Sequence, residues 1–238
     1  MVQNAIFITG AGQRVGLYLA KQFLQQTNYP VVFTYRSERE GVADLIALGA
    51  IGVQVDFDEA DSIERLVATL QQQVGSLRAV IHNASTWASD AQVADDFGLY
   101  TSMFKVHVEV PYQLNIALKP LLDASDSVLK DIVSITDSSV ELANDQHIAY
   151  LSTKAALSNL TKNFAKKYAP TIKVNEIAPG LIRFNEHDST EYKQARLAQS
   201  AIPIEPGEVV VWLAVDYLLN SVYMTGTCLP VDGGRPLV

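Results

Sequence analysis

Ala5-Ile6-Phe7-Ile8-Thr9-Gly10-Ala11-Gly12-Gln13-Arg14-Val15-Gly16 is the stretch that decides the fold. Four apolar residues make a short strand, the glycines make a turn, and Val15, Leu19 and Phe23 then recur at helical spacing. In that order the elements bring free backbone N–H groups and the positive end of a helix dipole to a place where glycines allow close backbone approach. The ligand such a place suits is a pyrophosphate, held around Gly10, Gln13, Arg14, Val15 and Gly16. Glycines also mark ordinary tight bends, and it is the position between a strand and a helix that favours the phosphate reading.

The same alternation continues outward. Val31-Val32-Phe33 reads as a second strand, Val42 to Leu48 as a short helix and Gly52 to Val55 as a third strand. Asp61 is placed to cap a helix with an apolar face of Ile63, Leu66, Val67, Leu70 and Val74, which leads into a strand at Ala79-Val80-Ile81. Pro111 is expected to kink or divide the helical region around it. Ile132 to Ile135 is a fifth strand, Ala149 to Tyr168 a long helix, and Ile172-Lys173-Val174 the start of a sixth strand. Glu208 to Leu219 is a last helix and Cys228 to Val231 a last strand. Seven strands separated by helices predict an α/β fold, a Rossmann-like doubly wound parallel sheet in three αβα layers, forming one domain over residues 1–238. Such sheets bind ligands at the carboxyl ends of their strands.

Composition narrows the classes of partner. The chain of 238 residues is 48% hydrophobic and 18% charged, with no linker-like or low-complexity stretch. A net charge of −8 argues against nucleic acid, whose binding depends on basic side chains displacing counterions. Cys228 is the only cysteine, which rules out an internal disulfide, gives no thiolate cluster for a metal, and suits a reducing compartment. Met1-Val2-Gln3-Asn4 runs into the first strand without a basic leader, and no apolar run has membrane-spanning length. The expectation is a cytoplasmic protein with no membrane partner and no metal.

The second strand ends Thr34-Tyr35-Arg36-Ser37, where folds selective for NAD place a carboxylate on the ribose 2′-hydroxyl. Arg36 and Ser37 instead suit a 2′-phosphate, which predicts NADPH; Glu38 would weaken that site if its carboxylate turned inward. Tyr150 and Lys154 share one face of the long helix at i, i+4 spacing. A lysine ammonium there is expected to lower the phenol's pKa and make it a better proton donor to a substrate receiving hydride.

Together these residues resemble the short-chain dehydrogenase/reductase family along the whole chain. The matching motifs are Thr9-Gly10 to Gly16, Asp56, Asn83-Ala84, Tyr150 with Lys154, Pro179-Gly180 and Val231-Asp232-Gly233-Gly234. The resemblance implies that Asp56 and Phe57 lie around the adenine and that Asn83 and Ala84 line the cofactor. It also implies that Lys154 holds the nicotinamide ribose and that Pro179 and Gly180 border the nicotinamide.

Four positions depart from the family's common pattern. Arg14 replaces the middle glycine, Asp137 the serine thirteen residues before the tyrosine, Ser85-Thr86-Trp87 the glycine after Asn83-Ala84, and His107 an asparagine. The first three are similar to the pteridine reductases. A pterin is a flat ring edged with donors and acceptors, and Trp87 can wall it while Arg14, Ser85 and Asp137 meet its edge, with Tyr150 and Leu181 completing the substrate site. Trp87 can equally be packing, Asp137 a loop cap and His107 a satisfied helix histidine; the last is the favoured reading for His107 alone.

A substrate lid is expected at about 181–201 and looks most like that of the bacterial dihydromonapterin reductases, with Asn185, Glu186 and His187 receiving a polyhydroxylated tail. The implied activity is NADPH-dependent reduction of a 7,8-dihydropterin, by Asp137, Tyr150 and Lys154. Dihydromonapterin is favoured over dihydrobiopterin and dihydrofolate. A ketone or 3-oxoacyl thioester reductase and a non-catalytic NADPH-binding regulator are the alternatives. The resemblance also implies a homotetramer formed through the helices around Phe104 to Leu118 and Ser152 to Phe164.

Overall fold

The computed structural model describes residues 1–238. Seven strands, β1 (Ala5–Ile8), β2 (Val31–Tyr35), β3 (Ile51–Gln54), β4 (Leu77–His82), β5 (Lys130–Ile135), β6 (Ile172–Pro179) and β7 (Cys228–Val231), form one sheet in the order β3-β2-β1-β4-β5-β6-β7. Every neighbouring pair is parallel, as strands joined through helices must be. The fold expected from the sequence is the fold observed.

The helices are α1 (Arg14–Gln26), α2 (Glu40–Ala47), α3 (Ser62–Gln73), α4 (Asp90–Asp95), α5 (Gly98–Phe104), α6 (Val110–Ala117), α7 (Lys119–Asp123), α8 (Ile148–Tyr168), α9 (Thr190–Leu197) and α10 (Val209–Asn220). Alternation along the strands sorts the core into two layers. Ile6 and Ile8 of β1 pack with Leu19, Phe23, Leu45 and Trp212 from α1, α2 and α10. Ala5 and Phe7 face the opposite layer, with Leu66, Leu70, Leu114 and Phe164 from α3, α6 and α8. The three αβα layers follow from that division.

Three local expectations are corrected. Asp61 precedes α3, but its φ of 55° places it in the left-handed region and its side chain caps nothing; an N-cap carboxylate needs extended backbone to reach the N2 and N3 amides. Val74 lies beyond the end of α3 with extended backbone and bridges to Val2, because the chain is already turning into β4. The irregularity expected at Pro111 is a π-helical turn at Lys105–Glu109, just before it. Pro111 itself sits in the first turn of α6, where its missing N–H is tolerated, and the widened turn relieves its ring against the carbonyl of His107.

Strand order reverses between β1 and β4, and their carboxyl ends open a crevice there. No helix is long and apolar enough to cross a membrane.

Candidate active site

Two adjoining cavities occupy that crevice and share Gly10, Gln13 and Ser85 in their walls. The smaller also touches Arg36, Ser37, Asp56, Phe57 and Ala84. The larger, about 460 Å³, is bounded by Arg14, Val15, Gly16, Asn83, Trp87, Asp137, Tyr150, Lys154, Pro179, Gly180 and Leu181. Every catalytic, cofactor-binding and ring-binding residue expected from the sequence therefore borders one of the two. Those the sequence reading did not single out include Thr34, Arg39, Tyr192 and Arg196. Arg39 was findable as a second cation three residues after Arg36, whereas Tyr192 and Arg196 arrive on α9, which no motif announced.

The glycine turn is built for close approach. Gly10 has φ +68°, and a Cβ on it would lie 2.8 Å from the Cα of Ala84. Asn83 fixes the turn from β4, its Nδ2 donating to the carbonyls of Thr9 (3.0 Å) and Gly10 (2.9 Å). Thr9 Oγ1 accepts from the amides of Asn83 and Ala84, which completes the lock between β1 and β4. Arg14 follows in the left-handed region at φ 51°, a conformation that explains why glycine is the ordinary occupant of this position.

At the far end of the smaller cavity the guanidiniums of Arg36 and Arg39 have no ion-pair partner. Glu38 does not turn inward: its Oε1 accepts from the Tyr35 hydroxyl at 2.9 Å. A cradle of glycine backbone ending in two unpaired cations fits a dinucleotide that carries an extra phosphate on its adenosine half.

In the larger cavity α8 presents Tyr150 and Lys154 one turn apart, with Lys154 Nζ 5.7 Å from the phenol ring centre. The ammonium donates to the Ile135 carbonyl at the end of β5, at 2.9 Å. Burial lowers the Lys154 pKa to about 8, against the carboxylate of Asp137, which raises it. The expected lowering of the Tyr150 pKa is not what the structure gives. Burial first, and the Asp137 carboxylate second, hold the phenol well above its ordinary value, so Tyr150 stands as a protonated acid. Asp137 both caps and faces the site: its Oδ1 accepts from the Ser139 amide at 2.8 Å while the residue borders the larger cavity.

His107, in the π turn, is fully buried and satisfied at both ring nitrogens, as expected of a helix histidine in the core. Its partners carry a further consequence. Thr153 Oγ1 donates to the Tyr150 carbonyl at 2.7 Å, so it can only accept from His107 Nδ1, at 2.8 Å. Burial, and then the Lys154 charge, push the His107 pKa well below its ordinary value, leaving a neutral ring whose Nε2 accepts from Ser85 Oγ at 2.8 Å. Ser85 thus spends its hydrogen on His107 and offers only lone pairs to Tyr150 and to a ligand.

Trp87 is 55% exposed and stacks edge-on against His147 at 5.5 Å, leaving much of the indole open to the cavity. Arg14 crosses the mouth, donating to Asn185 Oδ1 (2.8 Å) and the Arg183 carbonyl (3.0 Å). Glu186 and His187, expected as tail receivers, border neither this cavity nor the one beyond Tyr150; they stand exposed at a turn whose residues 185–188 close on themselves.

A family model described as enoyl-(acyl carrier protein) reductase matches residues 10–235. The chain is 45% identical over 235 residues to the dihydromonapterin reductase of Enterobacter sp. (strain 638), covering 99% of this chain and 98% of the relative. It is 45% identical over 232 residues to that of Klebsiella pneumoniae, covering 98% and 96%. Among solved structures, FolM alternative dihydrofolate reductase 1 from Brucella canis complexed with NADP superposes with a TM-score of 0.87 at 26% identity, covering 100% of this chain and 96% of that one.

Proposed function

Since the chain belongs to the short-chain dehydrogenase/reductase family, we propose that it reduces a 7,8-dihydropterin to the tetrahydro form with NADPH, dihydromonapterin being the favoured substrate. One observation carries the reading: Asp137, Tyr150 and Lys154 border the same cavity as Trp87 and Arg14. The first three can manage a proton, and the last two suit a flat heterocycle.

Gly10, Gln13, Arg14, Val15, Gly16, Asn83 and Ala84 would hold the cofactor's phosphates and neighbouring sugar. Asp56 and Phe57 would border its adenine, Arg36 and Ser37 its 2′-phosphate, and Pro179 and Gly180 its nicotinamide. When bound, NADPH supplies a hydride to C6 of the pterin. Tyr150, kept protonated, donates to N5, and Lys154 steadies the phenolate left behind. Asp137, bordering the same cavity as Tyr150, positions a water beside N5. Ser85, an acceptor only, selects a ligand N–H. Trp87 and Leu181 close over the ring, and residues 181–201 form the lid.

The chain's place is the cytoplasm, as a homotetramer. Phe104, Tyr112 and Ile116 stand exposed on the helical segment expected to pair, which supports association through that face.

A reductase of ketones or 3-oxoacyl thioesters is the second reading, favoured by the description of the matching family model. An acyl chain needs an apolar trench, and Arg14, Asp137 and Arg196 in the cavity wall speak against one. Oxidation of NADPH with dihydromonapterin, dihydrobiopterin, dihydrofolate and acetoacetyl substrates in parallel decides between them. Turnover confined to the pterins is expected; turnover with the acetoacetyl compounds alone overturns the assignment.

A further inference from the structure

A third cavity, of about 450 Å³, opens from the larger one through Trp87, Asp137, Tyr150, Tyr192 and Arg196, which border both. Its remaining wall is mostly polar, with Ser139, Asn144, Gln146, His147, Gln199 and Arg235 beside the apolar Leu151 and Ala195. Arg235 forms no hydrogen bond or ion pair through its guanidinium; burial first and the Arg196 charge second work against its charge, with Asp137 and Asp232 opposing. Gln199 Oε1 accepts from Arg196 and holds that guanidinium in place.

The covalent structure of a pterin gives this cavity a direction. C6 neighbours N5 on the edge away from the pyrimidine ring. With N5 at Tyr150 and the pyrimidine toward Arg14 and Ser85, the C6 substituent must leave past Tyr150 and Asp137. That is where the third cavity begins.

We propose that this cavity receives the C6 tail of the substrate, that Arg196 and Arg235 bind it, and that the tail it selects is a short polyol. The assignment rests on the dihydropterin reading above, and it replaces Glu186 and His187 as the expected receivers. The wall mixes donors from two guanidiniums and side-chain amides with acceptors from Asp137 and the amide oxygens. Hydroxyl groups donate and accept, and so match both. A carboxylate only accepts, and so leaves the acceptors of Asp137 and the amide oxygens facing it unmatched.

The test compares three substrates on one ring: 7,8-dihydromonapterin with its trihydroxypropyl tail, 6-methyl-7,8-dihydropterin with almost none, and 7,8-dihydrofolate with an anionic aryl tail. Arg235→Ala is expected to raise KM for dihydromonapterin about tenfold or more, the cost of losing a charged hydrogen-bond donor, and to leave the ratio of kcat values for the polyol and 6-methyl compounds within about threefold of wild type. KM for the 6-methyl compound is expected to move far less. Gln199→Ala, at an exposed position, is expected to move KM in the same direction by less, and carries the test if the first variant does not fold. Equal KM changes for the polyol and 6-methyl substrates, or no change in either, overturn the tail assignment alone. A larger loss for dihydrofolate than for dihydromonapterin overturns the polyol in favour of an anionic tail. Wild-type enzyme that oxidises NADPH with none of the three overturns the pterin reading itself.

Discussion

Single side chains set the chemistry. If Tyr150 supplies the N5 proton, Tyr150→Phe lowers kcat by about 10²-fold or more, the usual contribution of a positioned general acid, while NADPH affinity by fluorescence titration stays within about threefold. Lys154 sets a limit in pH. Its pKa of about 8 lies below that of a free lysine, so the ammonium beside Tyr150 is present below pH 8 and lost above it. The profile of kcat/KM is expected to fall as pH rises through about 8, by one proton. Asp137→Asn removes the charge that supports the ammonium and shifts that limb to lower pH; a limb that stays in place shows that another group is titrating. His107 sets the direction of the hydrogen bonds. Nitrogen-15 spectra of the ring are expected to show a protonated Nδ1 and a bare Nε2, and the opposite tautomer would free Ser85 to donate to the ligand.

Among the elements, β4, β5 and β6 are clamped by charges that the hydrophobic pattern of the strands conceals. Asp131 on β5 is fully buried between Arg78 of β4, at 2.5 Å, and Lys173 of β6, at 3.0 Å. The two cations also donate to carbonyls at the carboxyl end of α10, Arg78 to Leu219 and Lys173 to Leu218 and Ser221. They thereby satisfy groups that every helix end leaves open. Asp131→Ala would leave both cations buried without their carboxylate, and is expected to cost about 3–5 kcal/mol in urea unfolding. A loss under about 1 kcal/mol would mean that water enters the site and the clamp is weak. The strands and long helices were readable because their apolar periodicity is strong. The helices α4, α7 and α9 are short, and their few turns give too little pattern, although the capping box of Ser89 with Gln92 before α4 was a usable sign.

The stability of the whole molecule carries the mark of His82, buried at the end of β4 with Nε2 2.7 Å from Asn115 Oδ1. Burial lowers its pKa to about 4, the hydrogen bond to Asn115 opposing. Above about pH 6.5 the ring is neutral in the folded and unfolded chains alike. As pH falls toward 4 the unfolded chain gains a proton that the folded one refuses, and stability of up to about 3 kcal/mol is lost across that window. His82→Gln is expected to flatten the dependence of unfolding free energy on pH between 6.5 and 4. An unchanged slope would assign acid sensitivity to the carboxylates instead.

The succession of strands and helices along the chain, the glycine turn and the Tyr150–Lys154 pair were determined by sequence alone, because each depends on spacing within one element or one connection. Asp137, Trp87 and Arg14 could be named from the sequence as departures from a pattern, but their meeting around one cavity depends on β1, β4 and β5 lying side by side. What only the tertiary structure decided are relations across the chain. One is the protonated state of Tyr150 under burial and Asp137; another is the fixed hydrogen on Ser85, set by His107 and Thr153. A third is the joining of α9 and the chain's last turn in the wall of a third cavity. The physical reason is that burial, charge and hydrogen-bond direction belong to neighbours in space, and residues far apart in sequence become neighbours only when the sheet has formed.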